Sequence, residues 1–263
     1  MNLEQEMDVL CQAVRQAGRE VQTLADEGFQ TAHKANQSPV TCADLAADRV
    51  LKGALLDAFP ETGWLSEETR DDLARLQTQR IWIVDPVDGT LEFVEGIPEY
   101  AVSVALVDAG RPVLGTVYNP ATDTLYAAAI GQGVTRNGEL VKASRPPADP
   151  PVALASRSEV KRGEWDAFEG LLDVQVCGSI AYKLARVAAG EADMTFSLGP
   201  KNEWDIAAGV LLVAEGGGFA GDASGKGFRF NGQARTLVPS IAAATAETSE
   251  MMGDLLRNRP TRG

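Results

Sequence analysis

The feature that most constrains the fold of this chain is an apolar segment that ends in two closely spaced aspartates. Residues 81–90 read IWIVDPVDGT, with Asp85 and Asp88 followed by Gly89 and Thr90. A short apolar run predicts a buried strand, and a Gly-Thr step after it can open a helix. Two carboxylates at the carboxyl end of a strand, beside backbone N–H groups, can hold metal ions against a phosphate. The same residue types also form surface turns, so the segment alone leaves both interpretations open.

The charge balance narrows the possible partners. The chain has 263 residues, 44% of them hydrophobic, with 37 acidic against 24 basic residues and a net charge of −13. This balance argues against binding to a nucleic-acid polymer or to an anionic membrane. A small anionic substrate remains compatible with it if cations are clustered locally. The apolar runs are too short to span a membrane and the N-terminus lacks a signal pattern, so we expect a cytoplasmic protein.

Histidine and cysteine usage limits the kind of metal site. His33 is the single histidine, and Cys11, Cys42 and Cys177 are widely spaced. This pattern indicates neither a disulfide framework nor a zinc site. Any metal site must therefore use oxygen ligands, which favours Mg²⁺, Mn²⁺ or Ca²⁺. We predict His33 itself to be a solvated loop residue.

The first part of the chain predicts two helices and a strand before the aspartate segment. An apolar stripe over residues 3–24 predicts a long helix that Gly28 can end. Thr41 and Asp44 have capping-box spacing before a second helix, so capping and a functional role are both open for Asp44. A short strand over residues 63–68 then delivers Glu67.

Beyond Thr90, the sequence predicts an antiparallel meander and then strands that alternate with helices. Apolar runs after Thr90, separated by short turns, predict antiparallel strands. Four prolines within residues 145–151 predict a boundary between an α+β half (1–144), with most of the candidate ligands, and an α/β half (145–263) with Asp205 and the substrate pocket. In the second half we predict strands over 152–155, 174–177 and 194–196 and helices over 159–172, 178–190 and 206–214.

Five carboxylates stand at strand ends or helix starts: Asp44, Glu67, Asp85, Asp88 and Asp205. Two hard cations typically share a bridging carboxylate and need several further oxygens, which the Val87 carbonyl could join in supplying. So many carboxylates in one place would repel one another unless metal bound them. The Thr90 hydroxyl and the N–H groups of Gly89 and Thr90 would face an oxyanion. This arrangement suits attack of water on a phosphate monoester.

At these residues the chain resembles a known family. Residues 82–90, with Phe93 after them, resemble the signature of the inositol monophosphatase superfamily of metal-dependent, lithium-sensitive phosphatases. Residues 34–44, 66–68 and 203–217 resemble three further motifs in the family's order. The resemblance implies an α+β fold, a layered αβαβα sandwich of the inositol monophosphatase/fructose-1,6-bisphosphatase type, and commonly a homodimer.

The resemblance also implies a set of metal ligands. One Mg²⁺ would be held by Glu67, Asp85 and the Val87 carbonyl. A second would be held by Asp85, Asp88 and Asp205, and a third, weaker ion would lie beside Glu67.

Catalytic and phosphate-binding roles follow from the same resemblance. Thr90 would help to activate the attacking water, with Asp44 hydrogen-bonded to it and Glu67 beside them. Gly89 and Thr90 would bind the phosphate through their backbone, next to Asp88.

Two features indicate the substrate. Ser197 stands where inositol-specific members have an acidic residue, and Glu92 stands where they tend to have Asn. Residues 92–93, 99–100 and 199–205 look more like the bacterial 3′(2′),5′-bisphosphate nucleotidase branch, which implies adenosine 3′,5′-bisphosphate as the small phosphorylated substrate. The alternatives are an inositol 1-phosphate phosphatase, a broader sugar-phosphate or histidinol-phosphate phosphatase, or a non-catalytic metal-binding homologue.

Three residues are candidate contacts to the rest of the substrate. Ser179 and Lys183 match the nucleotidase pattern near the nucleoside pocket, and Lys201 could pair with a second phosphate. A position on the polar face of its helix is the alternative for Lys183, and a solvated loop position is the alternative for Lys201.

Overall fold

The structure is a computed structural model that describes residues 2–29, 31–33, 39–71, 73–142, 146–233, 236–238 and 240–258. Within these residues the α-helices are α1 Leu3–Glu27, α2 Cys42–Ala58, α3 Thr90–Val94, α4 Arg157–Lys161, α5 Ile180–Ala188, α6 Glu203–Glu215 and α7 Ser249–Arg257. The strands are β1 Thr31–His33, β2 Pro39–Thr41, β3 Gly63–Ser66, β4 Arg80–Asp88, β5 Ala101–Asp108, β6 Arg111–Asn119, β7 Thr124–Ala129, β8 Val134–Arg136, β9 Glu139–Val141, β10 Val152–Ala155, β11 Asp173–Val176, β12 Met194–Ser197, β13 Lys201–Asn202, β14 Phe219–Gly221, β15 Thr236–Val238 and β16 Ile241–Ala244.

Helices α1 and α2 form the first outer layer, as their periodicity predicted. The α1 stripe is buried, and the helix ends before Gly28, which has a φ of +88°. At the start of α2, the Thr41 hydroxyl and the Asp44 carboxylate form the predicted capping box. Both helices pack on the same face of a sheet, where Trp82 and Val84 are buried.

The first sheet has seven strands in the order β3-β4-β5-β6-β7-β8-β9. Strands β3 and β4 are parallel, β4 pairs with β5 in the antiparallel sense, and β5 to β9 form the predicted antiparallel meander. Strand β4 is buried on both faces, because Trp82 and Val84 face α1 and α2 while Ile81 and Ile83 face the interior of the molecule. Coverage on both faces explains why its apolar run is continuous rather than alternating.

Helices α5 and α6 form the middle layer. They join Ile81 and Ile83 of the first sheet and Leu154 and Ile241 of the second in one buried cluster. Helix α6 lies so close to β6 that a Cβ at Gly115 would be 3.1 Å from the Ala208 carbonyl oxygen. A glycine in β6 therefore permits the contact that joins the two halves of the chain.

The second sheet has five strands in the order β11-β10-β12-β16-β14. Strand β10 pairs in parallel with β11 and β12, whereas β16 runs antiparallel to β12 and β14. Its outer face packs against Trp165, Phe168 and Met252 in a second outer layer that includes α7. Together these elements form an αβαβα sandwich of the α+β class, which confirms the predicted fold.

The predicted helix over residues 159–172 is wrong. Helix α4 ends at Lys161, and Gly163 follows with a φ of +69°, which an α-helix cannot accommodate. A short 3-10 helix, Asp166–Phe168, replaces the later turns. Trp165 instead stacks on Phe196, with ring centroids 4.0 Å apart, so local packing on the sheet overrides the helical pattern.

Three other predictions concern the backbone and the chain as a whole. His33 belongs to β1, which pairs with β2, so the predicted loop is wrong, while the predicted exposure of its side chain stays a prediction. The chain passes from the first sheet to the second between Val141 and Val152, but the boundary at residues 144 and 145 lies outside the described residues. In the part of the chain that the structure describes, no helix is both long and apolar enough to cross a membrane.

Candidate active site

The aspartate segment forms a strand, a tight turn and a helix rather than a surface turn. Asp85 is 2% exposed, three residues before β4 ends at Asp88, and the pairing with β5 is irregular between Asp85 and Asp88. Gly89 has a φ of +95°, and a Cβ there would lie 3.0 Å from the Glu99 carbonyl oxygen, so glycine fits best. Helix α3 begins at Thr90, as predicted.

Most of the candidate site residues line one cavity of about 340 Å³. The predicted residues in its wall are Glu67, Asp85, Val87, Asp88, Gly89, Thr90, Ser179, Lys183, Lys201 and Asp205. Helix α2 contributes Asp44 behind this wall, through a contact to Thr90. Residues 34–38 of the loop motif lie outside the described residues. The fold thus brings segments of both halves of the chain to one place.

The carboxylates of this cavity interact strongly. Burial, together with the charges of Glu67 and Asp88, raises the pKa of Asp85 well above its usual value. Burial raises the pKa of Asp88 to about 6, and burial with the charge of Asp88 raises the pKa of Asp205 to about 7. The cost of placing these charges together would fall if divalent cations bound between them.

The donor atoms fit a hard cation. The cavity offers carboxylate oxygens and lies beside the Val87 carbonyl, and Mg²⁺ prefers such oxygen ligands. Within the described ranges, no three acidic, histidine or cysteine side chains lie close enough together to hold a metal ion by themselves. The acidic side chains therefore line the cavity without converging on one point, so a cation there would need further oxygen ligands.

Thr90 connects the cavity to a buried carboxylate behind it. Its hydroxyl lies 3.0 Å from Asp44 Oδ1 and 3.1 Å from the Val87 carbonyl oxygen. Asp44 Oδ2 accepts hydrogen bonds from the Thr41 N–H and hydroxyl, at 2.8 and 2.7 Å. Burial raises the pKa of Asp44 despite these hydrogen bonds, which makes it a stronger base than an exposed aspartate. The pair can accept a proton from a water molecule in the cavity.

The start of α5 holds Asp88. Asp88 Oδ2 accepts hydrogen bonds from the Ser179 hydroxyl and from the Ala181 N–H, both at 2.6 Å. The Ser179 oxygen also accepts a hydrogen bond from the Tyr182 N–H at 2.9 Å, and its backbone has a φ of +55°. The Ser179 hydroxyl therefore donates its hydrogen to Asp88. In this structure Ser179 thus contacts a candidate metal ligand.

Lys183 is buried in the cavity wall and not on a solvated helix face. It is 2% exposed, and Glu159 Oε2, at 4.0 Å, is the single carboxylate oxygen within that distance among the described residues. Burial lowers the pKa of Lys183, and the charge of Lys201 lowers it further. Lys201, half-buried, lines the same cavity. This side of the cavity can therefore receive an anionic group.

Arg157 also lines the cavity and was not predicted as a site residue. Its guanidinium donates to Glu99 Oε2 at 2.5 Å and to Glu92 Oε1 at 3.3 Å. Glu99 Oε2 also accepts the Gly178 N–H at 2.7 Å, so the three charged side chains join both halves of the chain. The signal that could have identified this segment is the capping box of Ser156 and Glu159 directly after strand β10.

Comparisons with known proteins agree with this geometry. The profile of the Inositol monophosphatase family matches residues 2–259. The chain is 34% identical to the 3′(2′),5′-bisphosphate nucleotidase CysQ of Escherichia coli K12, over 89% of this chain and 98% of that protein. It is 36% identical to the inositol-1-monophosphatase of Mesorhizobium japonicum, over 83% and 86%.

A solved structure shares the fold over nearly the whole chain. The extragenic suppressor protein suhB of Bartonella henselae superposes with a TM-score of 0.85 at 30% identity, over 97% of this chain and 99% of that one. The matched family and the named relatives are phosphatases, and an acidic cavity lined by both halves of the chain agrees with that class. The chain belongs to the inositol monophosphatase family, whose enzymes are metal-dependent.

Proposed function

We propose that this protein is a Mg²⁺-dependent phosphomonoesterase whose preferred substrate is adenosine 3′,5′-bisphosphate. The observation that carries the proposal is the pairing of an acidic oxygen-donor pocket with a buried lysine, Lys183, whose nearest carboxylate oxygen among the described residues is 4.0 Å away. The acidic pocket suits metal ions and the phosphate that reacts. Lys183 suits a second anionic group on the same substrate.

Five groups would hold the metal ions. Glu67, Asp85 and the Val87 carbonyl would bind one Mg²⁺, and Asp85, Asp88 and Asp205 would bind a second. A third ion would lie beside Glu67. When bound, such ions polarise phosphate oxygens and lower the pKa of the attacking water. The raised pKa values of Asp85, Asp88 and Asp205 support this assignment, because burial first, and neighbouring carboxylates in addition, disfavour the charged form of each, which a bound cation would offset.

Thr90 and Asp44 would handle the proton of the attacking water. A water in the cavity would donate a hydrogen bond to the Thr90 oxygen, while the Thr90 hydroxyl donates to Asp44 Oδ1. The proton then passes along this pair to Asp44, whose raised pKa favours its acceptance. Gly89, which lines the cavity beside Thr90, would place backbone N–H groups against the phosphate.

Lys183 and Lys201 would bind the second phosphate. Lys183 donates to no described carboxylate within 3.5 Å, and burying an ammonium without such a partner is costly unless an anion binds. The mutual repulsion of the two lysines supports the same assignment, since a dianionic phosphate would relieve it.

An inositol monophosphate or related sugar phosphate is the second candidate substrate. Glu159 and Ser197 both line the cavity, and Lys183 Nζ lies 4.0 Å from Glu159 Oε2. A carboxylate beside a hydroxyl and an ammonium can bind ring hydroxyls instead of a phosphate. One relative is named for the bisphosphate nucleotidase activity and another for the inositol-1-monophosphatase activity, and they match this chain at 34% and 36% identity.

Phosphate release from a substrate panel tests these candidates. The panel is adenosine 3′,5′-bisphosphate, AMP, inositol 1-phosphate and histidinol phosphate, each with Mg²⁺ and with EDTA. We expect the highest kcat/KM for the bisphosphate and no turnover in EDTA. Faster turnover of inositol 1-phosphate would overturn the first choice, and no release from any substrate would support a non-catalytic homologue.

A matched pair of variants tests the second phosphate site. Lys183→Met keeps the length of the side chain and removes its charge, whereas Lys161→Met removes an exposed charge from α4. We expect Lys183→Met to raise KM for the bisphosphate about tenfold or more and to change KM for inositol 1-phosphate, which carries a single phosphate, much less. Equal effects on both substrates would remove Lys183 from the second-phosphate site.

A further inference from the structure

Helix α2 carries a second buried carboxylate one turn after Asp44. Asp48 is 7% exposed, and its spacing of four residues from Asp44 places both side chains on the same face of the helix. Asp44 contacts Thr90 in one wall of the cavity. Asp48 contacts a different segment, the turn that contains Glu67.

Asp48 holds both ends of this turn. Its Oδ1 accepts a hydrogen bond from the Ser66 hydroxyl at 2.5 Å, and its Oδ2 accepts one from the Thr69 hydroxyl at 2.8 Å. The two hydroxyls also accept hydrogen bonds, Ser66 from the Glu68 N–H and Thr69 from the Trp64 indole N–H, both at 3.3 Å. The turn is therefore tied to α2 at the residue before Glu67 and at the second residue after it.

These contacts begin where the sheet ends. The pairing of β3 with β4 stops at Ser66 and Val84, and the last backbone hydrogen bond runs from the Glu67 N–H to the Val84 carbonyl at 3.2 Å. Beyond that point the ladder no longer fixes the chain. A carboxylate suits this position because two hydroxyl donors need two acceptor oxygens, and an asparagine offers one.

We propose that Asp48 is a positioning residue for the metal site, which it serves by holding the turn that presents Glu67 to the cavity. The inference rests on the proposed function, in which Glu67 is a metal ligand. Groups that orient metal ligands typically change metal affinity or activity 10- to 100-fold when they are replaced.

The test compares Asp48→Asn with Asp57→Asn, which removes the same charge from an exposed position of the same helix. The first readout is the Mg²⁺ concentration that gives half of the full rise in melting temperature, which does not depend on activity. The second is the Mg²⁺ concentration for half-maximal phosphate release. We expect both concentrations to rise about tenfold or more in Asp48→Asn and to stay at the wild-type value in Asp57→Asn.

Ser66→Ala provides a second variant that keeps the charge of Asp48 and removes one of its two donors. We expect a smaller shift in the same direction, and we expect Ser66→Ala to add little when Asp48 is already Asn, since both act through one contact. If Asp48→Asn and Ser66→Ala both gave the wild-type Mg²⁺ concentrations for half of the melting-temperature rise and for half-maximal phosphate release, the inference about Asp48 would be overturned. The proposed function would be unaffected. A wild-type protein that does not respond to Mg²⁺ would overturn the proposed function and this inference with it.

Discussion

Replacing Asp88 by Asn separates the structural contacts of this side chain from its charge. Asp88 Oδ2 accepts two hydrogen bonds, from the Ser179 hydroxyl and from the Ala181 N–H. The carbonyl oxygen of Asn can accept the same two, so we expect Asp88→Asn to keep the fold. What the substitution removes is one negative charge from the acidic pocket.

Without metal, the variant should be more stable than the wild type. Burial raises the pKa of Asp88 from 3.8 to about 6, even though its hydrogen bonds lower it. A carboxyl with a higher pKa in the folded than in the unfolded protein destabilises the fold as the pH rises through this interval, and fully above it. At ~1.4 kcal/mol per pKa unit, the difference corresponds to an upper limit of about 3 kcal/mol. At pH 8 in EDTA we therefore expect Asp88→Asn to melt several degrees above the wild type.

In Mg²⁺ we expect the wild type to melt above Asp88→Asn. A ligand that binds only the folded protein at 100 times its Kd stabilises it by about 2.7 kcal/mol, and we expect the wild type to gain this amount and the variant much less. We also expect kcat to fall ~100-fold or more, because metal charge is lost at the reacting phosphate. Differential scanning fluorimetry in EDTA and in Mg²⁺, with phosphate release, measures all three. A variant that melts below the wild type in EDTA, keeps the full Mg²⁺ response or retains near-normal kcat would refute the reasoning.

Three further substitutions test other parts of the structure. Thr90→Val should lower kcat ~100-fold with little change in the Mg²⁺-induced rise in melting temperature, and wild-type kcat in phosphate release would exclude the proton path to Asp44. Gly178→Ala should destabilise the protein by about 1–3 kcal/mol in thermal unfolding, because the new Cβ would overlap the Glu92 side chain; an unchanged melting temperature would contradict this packing. Arg75→Met should cost about 3–5 kcal/mol in urea unfolding, because it removes the bidentate partner of the buried Asp71 carboxylate, whereas the exposed Arg70→Met control should cost little; equal losses would show that the ion pair is not the cause.

Local patterns were sufficient to predict most of the helices and strands, whereas the layered arrangement followed from the family resemblance. The α1 stripe, the capping box of α2 and the continuous apolar run of β4 are each set by neighbours within a few residues. The prediction of a helix over residues 159–172 was wrong because the apolar residues in this range pack on a sheet and do not form one helical stripe. Trp165 and Phe168 pack on the second sheet around Phe196, a contact that sequence spacing does not encode.

The candidate site also contains residues that the sequence could identify and residues that it could not. Residues 85–90 lie in one continuous segment, so a strand followed by a helix was one of the two interpretations that this segment allowed, and the family resemblance favoured it. The burial of Lys183 could not, because the surface that covers it comes from Glu159 and from other segments of the fold. Arg157 was missed for the same reason, since Glu92 and Glu99, which hold it, lie in the other half of the chain.

Asp44 shows why a structural and a functional interpretation of one residue need not exclude each other. Capping and catalysis are open alternatives in the sequence, because either explains a carboxylate at the third position of a helix. In the structure the two oxygens divide the tasks, with Oδ2 at the Thr41 cap and Oδ1 at the Thr90 hydroxyl. Asp205 repeats this arrangement at the start of α6, where Oδ2 accepts the Asn202 N–H at 2.8 Å while the side chain lines the cavity. A capping carboxylate at the mouth of a site is already held in place, so the helix start itself supplies the rigidity that a catalytic or metal-binding oxygen requires.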